Sequence, residues 1–200
     1  MNTFKTHTFL VAFLLAGFFV GLAKSQEAAD GLSEKEIISL QKELVEAGEL
    51  SSKTRMRRAY KSVVRDAEKL LKSFPSATNH YRVLELIFQG QKRLLAQDNS
   101  NENRDALLET CSRLAGAPDE VADLRLEADL LLMEREQSIK KADVKERAAA
   151  LEGVIARYRD TPGEAKSLMM ASQIAPKLEA FDLEMEILRA MQESFSDDYP

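Results

Sequence analysis

Cys111 is the single cysteine of this 200-residue sequence, and His7 and His80 are its two histidines. A zinc or iron site built from thiolate and imidazole ligands therefore lacks its materials. A site made of carboxylates alone stays open, but the clusters Glu184/Glu186 and Asp197/Asp198 hold residues one or two apart, which point away from each other on a helix. No loop carries the alternating oxygen ligands of a calcium site. Ser-His-Asp catalysis would have to use His80, beside Tyr81 in the first turn of an expected helix, with no nucleophile elbow nearby. Gly31, Gly48, Gly90, Gly116, Gly153 and Gly163 stand singly, so there is no glycine-rich loop to cradle a phosphate. No catalytic, metal-binding or cofactor-binding residue is assigned, and no cofactor is expected.

The densest charge feature is basic. Lys53, Arg55, Arg57, Arg58, Lys61 and Arg65 follow one another with no acid between them. Lys53, Arg57, Lys61 and Arg65 step by four, which lines them along one helix face. That face is either a solvated surface neutralised by acid-rich helices nearby or a dock for an acidic partner or an anionic headgroup. Cys111 falls on an apolar stripe with Leu107, Leu108 and Leu114, where a cysteine behaves as a small buried hydrophobe. Met169, Met170, Met185 and Met191 read as core filler at helical positions rather than as a pliable binding surface.

The elements that must position these groups begin after residue 25. Lys5 and the apolar run from Phe9 to Val20, followed by Ala23 and Ser25, form a secretory signal expected to be cut near Gln26. The run is too short for a membrane-spanning helix, which needs about 20 apolar residues. Residues 26–32 are expected to be flexible. Removal of the signal takes away Lys5 and Lys24, shifting the net charge from −5 to −7, and a mildly acidic chain is not a nucleic-acid binder. The destination is the periplasm or the extracellular space, and membrane contact is transient, through the signal alone. With one cysteine no internal disulfide can form, so the fold rests on core packing.

The composition, 44% hydrophobic and 30% charged with no Trp and 5 Pro, favours helices over strands. Ser33 and Glu36 have capping-box spacing for a helix over 34–47, with Ile37, Ile38, Leu40, Leu44 and Val45 as its stripe and Gly48 as its left-handed stop. Met56, Tyr60, Val63, Val64, Ala67, Leu70 and Leu71 carry a long second helix to Phe74-Pro75. Further helices are expected over 78–96, 103–115 and 119–137. Asp143 and Glu146 cap a helix that ends near Arg159, Thr161-Pro162-Gly163-Glu164 starts the next, and Pro176 ends or kinks it. Asp182 caps the last, which turns Ile187, Leu188, Met191 and Phe195 inward.

These eight helices pair into hairpins over 34–74, 78–115, 119–159 and 162–195, a period of about 40 residues that marks an α-solenoid. One all-α domain over 33–200 is expected, a right-handed stack of about four hairpins. Its units join where an aromatic helix end meets a proline turn: Phe74-Pro75-Ser76-Ala77, Tyr158-Arg159-Asp160-Thr161-Pro162, and Phe195 through Tyr199-Pro200. The segment from Tyr158 to Phe195 resembles the tetratricopeptide-like repeats of exported bacterial proteins, although the units are longer than about 34 residues and the small-residue signature is incomplete. The layout is also similar to helical regions that precede thioredoxin-like domains in exported bacterial proteins. The redox role this would imply has no Cys-x-x-Cys here to carry it.

The function expected from these residues is a non-enzymatic interaction or scaffold module of the bacterial cell envelope, with a protein or peptide partner. The alternative is the helical N-terminal region of a larger exported thioredoxin-fold protein, since a hairpin junction at Tyr199-Pro200 has no capping helix after it. A carboxylate-based hydrolase is the distant third reading.

Overall fold

The structure, a computed structural model, describes residues 31–195. The signal at 1–25, residues 26–30 and the junction at Tyr199-Pro200 lie outside the described residues. Every regular element within them is helical: α1 (Glu34–Glu49), α2 (Lys53–Ser73), α3 (His80–Gln97), α4 (Asn101–Leu114), α5 (Ala122–Lys140), α6 (Val144–Tyr158), α7 (Glu164–Ile174) and α8 (Phe181–Phe195). Short 3₁₀ turns at Asp119–Val121 and Ala175–Leu178 precede α5 and follow α7. The protein is thus all-α, with helices that pack on their neighbours in sequence.

Local chemistry explains most of the boundaries. Asp143 and Glu146 form the expected reciprocal cap: Glu146 N–H donates to Asp143 Oδ1 and Asp143 N–H donates to Glu146 Oε2, each at 2.9 Å. Pro176 lacks an N–H, and α7 accordingly gives way to a 3₁₀ turn one residue before it. Other expected caps differ. The Ser33 hydroxyl caps nothing, because the backbone carbonyl of Ser33 takes the Glu36 and Ile37 N–H groups. Gly48 does not stop α1, which continues to Glu49, and no described glycine has a positive φ. Gly163, rather than Thr161, is the N-cap of α7. Thr161 Oγ1 instead donates to the Tyr158 carbonyl and accepts from Gly163 N–H. Helix α8 begins at Phe181, so Asp182 sits inside its first turn, where a carboxylate still favours the helix dipole.

The stripes also need trimming. Ile38 and Val45 on α1, and Leu188 on α8, are exposed rather than inward, because the buried face of each helix is narrower than the apolar residues could cover. Met169 and Met185 are exposed as well, whereas Met170 and Met191 pack against the core. Phe195 has no described side chain.

The chain divides into two compact units between Gly90 and Gln91, within α3. In the first, α1 packs on α2, burying Ile37, Leu40, Leu44 and Ala47 on one and Tyr60, Val63, Ala67 and Leu71 on the other. A Cβ on Gly90 would lie 2.7 Å from Val64 Cγ2 and 3.7 Å from Leu44 Cδ1, so α3 presses closely on both at this glycine. The Asn79 amide ties down the segment leading into α1, accepting from Leu32 N–H at 2.8 Å and donating to Leu32 O at 2.9 Å.

In the second unit α4 packs on α5, α5 on α6, α6 on α7 and α7 on α8. Leu126, Leu130, Leu151, Val154, Tyr158, Leu168, Leu183 and Ile187 form its apolar core. One acid is buried beside this core. Asp129 Oδ2 accepts from Tyr158 Oη and from Arg157 Nη1, both at 2.8 Å, which bolts α5 to the end of α6. Arg125 covers the Tyr158 ring 5.1 Å from its centroid and donates to Ala117 O and Asp119 Oδ1. Gly163 leaves room for this ring, since a Cβ there would lie 2.9 Å from Tyr158 Cδ1.

Asp129→Ala should cost about 1–3 kcal/mol, because it leaves the buried Tyr158 hydroxyl without its acceptor, and Tyr158→Phe about 1 kcal/mol. Urea denaturation measures both, and an Asp129→Ala midpoint equal to that of the parent chain would contradict the role given to this acid. Gly163→Ala should also lower the midpoint, through its clash with Tyr158.

Candidate functional site

Helix α2 holds the expected basic face. Lys53, Lys61 and Arg65 are exposed and Arg57 is half-buried, and Arg55 and Arg58 are exposed next to them. The four residues of the expected row therefore share one helix, but one end of the row is partly neutralised. Arg65 Nε lies 3.3 Å from Asp66 Oδ1, and Lys69 Nζ donates to the same oxygen at 3.1 Å. These two cations, Arg65 before Lys69, with the Ser62 hydroxyl, hold the Asp66 carboxyl down at about 2. Among the described residues no carboxylate is bonded to Lys53, Arg55, Arg58 or Lys61, so the field of α2 stays positive over its first half.

The groups considered for catalysis are engaged in structure. His80 Nδ1 lies 2.7 Å from the Ala77 carbonyl; a carbonyl can only accept, so this nitrogen carries the hydrogen. The ring centroid lies 3.9 Å from that of Tyr81, with the two planes tilted by 39°. Cys111 is fully buried on the inner face of α4, and burial pushes its thiol up to about 12. No cluster of three His, Cys, Asp or Glu side chains suited to a metal occurs among the described residues, and no described helix is long and apolar enough to cross a membrane.

A second candidate, which the one-dimensional pattern does not reveal, lies in the second unit. Lys92 on α3 donates to Glu127 Oε2 on α5 at 2.6 Å, and Lys166 on α7 donates to Glu127 Oε1 at 3.3 Å. Three alternate helices are thus laced edge to edge by one carboxylate between two ammonium groups. Burial would raise the Glu127 pKa, but the bond from Lys92 and then the charge of Lys166 outweigh it and hold the carboxyl below its usual value. Beyond this ion pair a trough of about 500 Å³ opens between α5 and α7. Leu130, Leu131 and Met133 of α5, Met170 and Ile174 of α7, and Leu178 form its apolar wall. Gln137, Ser138, Arg147 and Lys177 lie at the other end of α5. The sequence carried a partial signal, an α5 with too many apolar residues for one buried face; the trough uses the surplus.

The outer side of α8 presents a third feature. Phe181, Met185 and Leu188, at spacings of four and three, are exposed by 62%, 51% and 45%, flanked by Asp182, Glu184 and Glu186.

Comparison with known proteins returns no match. No family model, no curated protein and no solved structure resembles this chain. Functional inference therefore rests on the residues described above.

Two outcomes are expected. Alkylation of Cys111 in the native protein should be slow at pH 8 and should accelerate on unfolding, because both burial and a thiol shifted to about 12 withhold the thiolate; rapid labelling without denaturant would show the stripe to be open. Asp66 has a depressed folded value, so the stability it contributes is present above its ordinary 3.8 and is lost as pH falls toward about 2. Denaturation midpoints measured down this range should drop less for Asp66→Asn than for the parent chain.

Proposed function

We propose that this protein is a non-enzymatic docking module of the bacterial cell envelope that binds an acidic protein partner on the exposed face of α2. The observation that carries this reading is the row Lys53, Arg57, Lys61 and Arg65 on one helix, with Arg55 and Arg58 beside it and Lys53, Arg55, Arg58, Lys61 and Arg65 exposed. Four cations repeating every turn on one rigid helix present a spaced positive field, which steers an acidic partner and sets its register. The net charge of −7 expected for the processed chain makes this patch stand out against an otherwise acidic molecule.

The scaffold we infer is a right-handed stack of about four tetratricopeptide-like hairpins. The Lys92–Glu127–Lys166 ladder supports it, since it joins α3, α5 and α7, the first helices of three successive hairpins in the expected pairing. Export to the periplasm or the extracellular space follows from the Phe9 to Val20 run and the small residues after it.

Fluorescence anisotropy of a labelled poly-glutamate peptide, with the processed chain titrated in at rising salt, tests the docking face. Binding should be present at low salt, fade as salt rises, and weaken by about tenfold in the Lys53→Gln/Lys61→Gln double variant, as removal of two contacting charges requires. Binding that ignores both salt and these substitutions would overturn the assignment. Preference for vesicles of anionic lipid over poly-glutamate would do the same, by making the face a membrane contact.

A further inference from the structure

The trough in the second unit has a chemistry unlike that of the α2 face. It follows α5 from Glu127 to Ser138, about 16 Å at the rise of an α-helix, and its volume of about 500 Å³ lies in the range of small-molecule sites. Its middle is hydrocarbon and thioether, from Leu130, Leu131, Met133, Met170 and Ile174. Its two ends are polar but unequal. At the first, Lys92 and Lys166 both meet Glu127, and Lys166 also lies 3.6 Å from Asp123 Oδ2, so two cations face two carboxylates and that end is neutralised. At the second stand Arg147 and Lys177, neither of which has a carboxylate within ion-pair distance among the described residues.

The acids around this second end form no ion pair with the two cations among the described residues. Asp143 accepts from Glu146 N–H in the cap of α6, Glu134 lines the trough and Glu179 lines the adjoining recess, both with exposed side chains. Arg147 Nε donates to the Ala142 carbonyl at 3.0 Å, a bond that fixes the guanidinium at the mouth of the trough and leaves its other N–H groups to take an anion.

The walls decide which kind of molecule fits. They are helices, whose backbone donors and acceptors are already used internally. An extended peptide laid between them would bring an N–H and a C=O per residue with nothing to meet them. A helical peptide, about 10–12 Å across, could insert only side chains. An alkyl chain asks for no hydrogen bonds and gains from every apolar contact, and the two methionines let the wall adjust to its shape.

We propose that the trough binds a long-chain carboxylate, with the alkyl chain along α5 between Met133 and Met170 and the carboxylate at Arg147 and Lys177. Affinity comes from the burial of the chain, and orientation comes from the unequal charge at the two ends.

Isothermal titration of the processed chain with dodecanoate, dodecylammonium and dodecanol, each below its aggregation concentration, tests this. Dodecanoate should bind one to one, and the ammonium and the alcohol should bind more weakly by about tenfold or more, the factor that one desolvated ion contact supplies. Lys177→Glu, a change at an exposed residue, should weaken dodecanoate by a similar factor and narrow its lead over dodecylammonium. Lys53→Gln/Lys61→Gln, on α2, should leave it unaltered, which separates this site from the docking face. Equal binding of the three amphiphiles, unaltered dodecanoate binding by Lys177→Glu, or no binding at all overturns the proposal. So does displacement of dodecanoate by an acetylated and amidated apolar peptide that binds more tightly.

Discussion

Asp129 is the constraint around which the second unit is arranged. Withdrawing a carboxylate from water costs several kcal/mol unless donors replace the lost solvent, and here they come from two adjacent residues at the end of another helix, Arg157 and Tyr158. The same phenol must then be placed, which requires a gap beside Gly163 and a cover from Arg125. Burial, and then the hydrogen bond to Asp129, push the Tyr158 hydroxyl well above its ordinary range, so it stays a donor at any physiological pH. A single polar demand thus fixes the register of α5 against α6 and the site at which α7 begins. Apolar packing alone, with its tolerance for sliding by a turn, does not impose such a register.

Helical periodicity made the number of described helices and most of their limits legible, because a 3.6-residue repeat of apolar side chains survives whatever the tertiary context. Cap chemistry was less legible, since several polar residues near a helix start compete for the same N–H groups. Asp143 won its contest and Ser33 did not, and Thr161 bonded backward to Tyr158 instead of forward into α7. Asp129 was readable in principle. It falls three residues after Leu126 and one before Leu130, on the inner stripe of α5, where an acid needs a partner. What a linear pattern does not contain is the identity of that partner 28 or 29 residues away, or the lacing of Glu127 by two lysines from different helices. The α2 row is different, because a cationic repeat on a single helix is a local property, and the structure places it on one element as the spacing requires.

The aromatic-before-proline junctions show how one pattern can have two outcomes. Tyr158 is completely buried, with its hydroxyl held by Asp129, whereas Phe74 is 41% exposed. Both sit at the end of a helix and ahead of a turn. The difference lies in what each can reach, since phenylalanine has no polar tip to be anchored and nothing like the Asp129 carboxylate holds it in place. Junctions that look equivalent in sequence are therefore unequal in strength.

The turns after α5, α6 and α7 each place a residue other than glycine in the left-handed region: Lys141 at φ 52°, Asp160 at φ 60° and Glu179 at φ 58°. Each carries a conformational cost of about 1–2 kcal/mol relative to right-handed backbone. The cost is local, but its return is not, because side chains with a Cβ explore far less backbone space than glycine would at the same corner. The elbows of this unit consequently have less backbone freedom than glycine would give them, and two of the helices they join wall the trough.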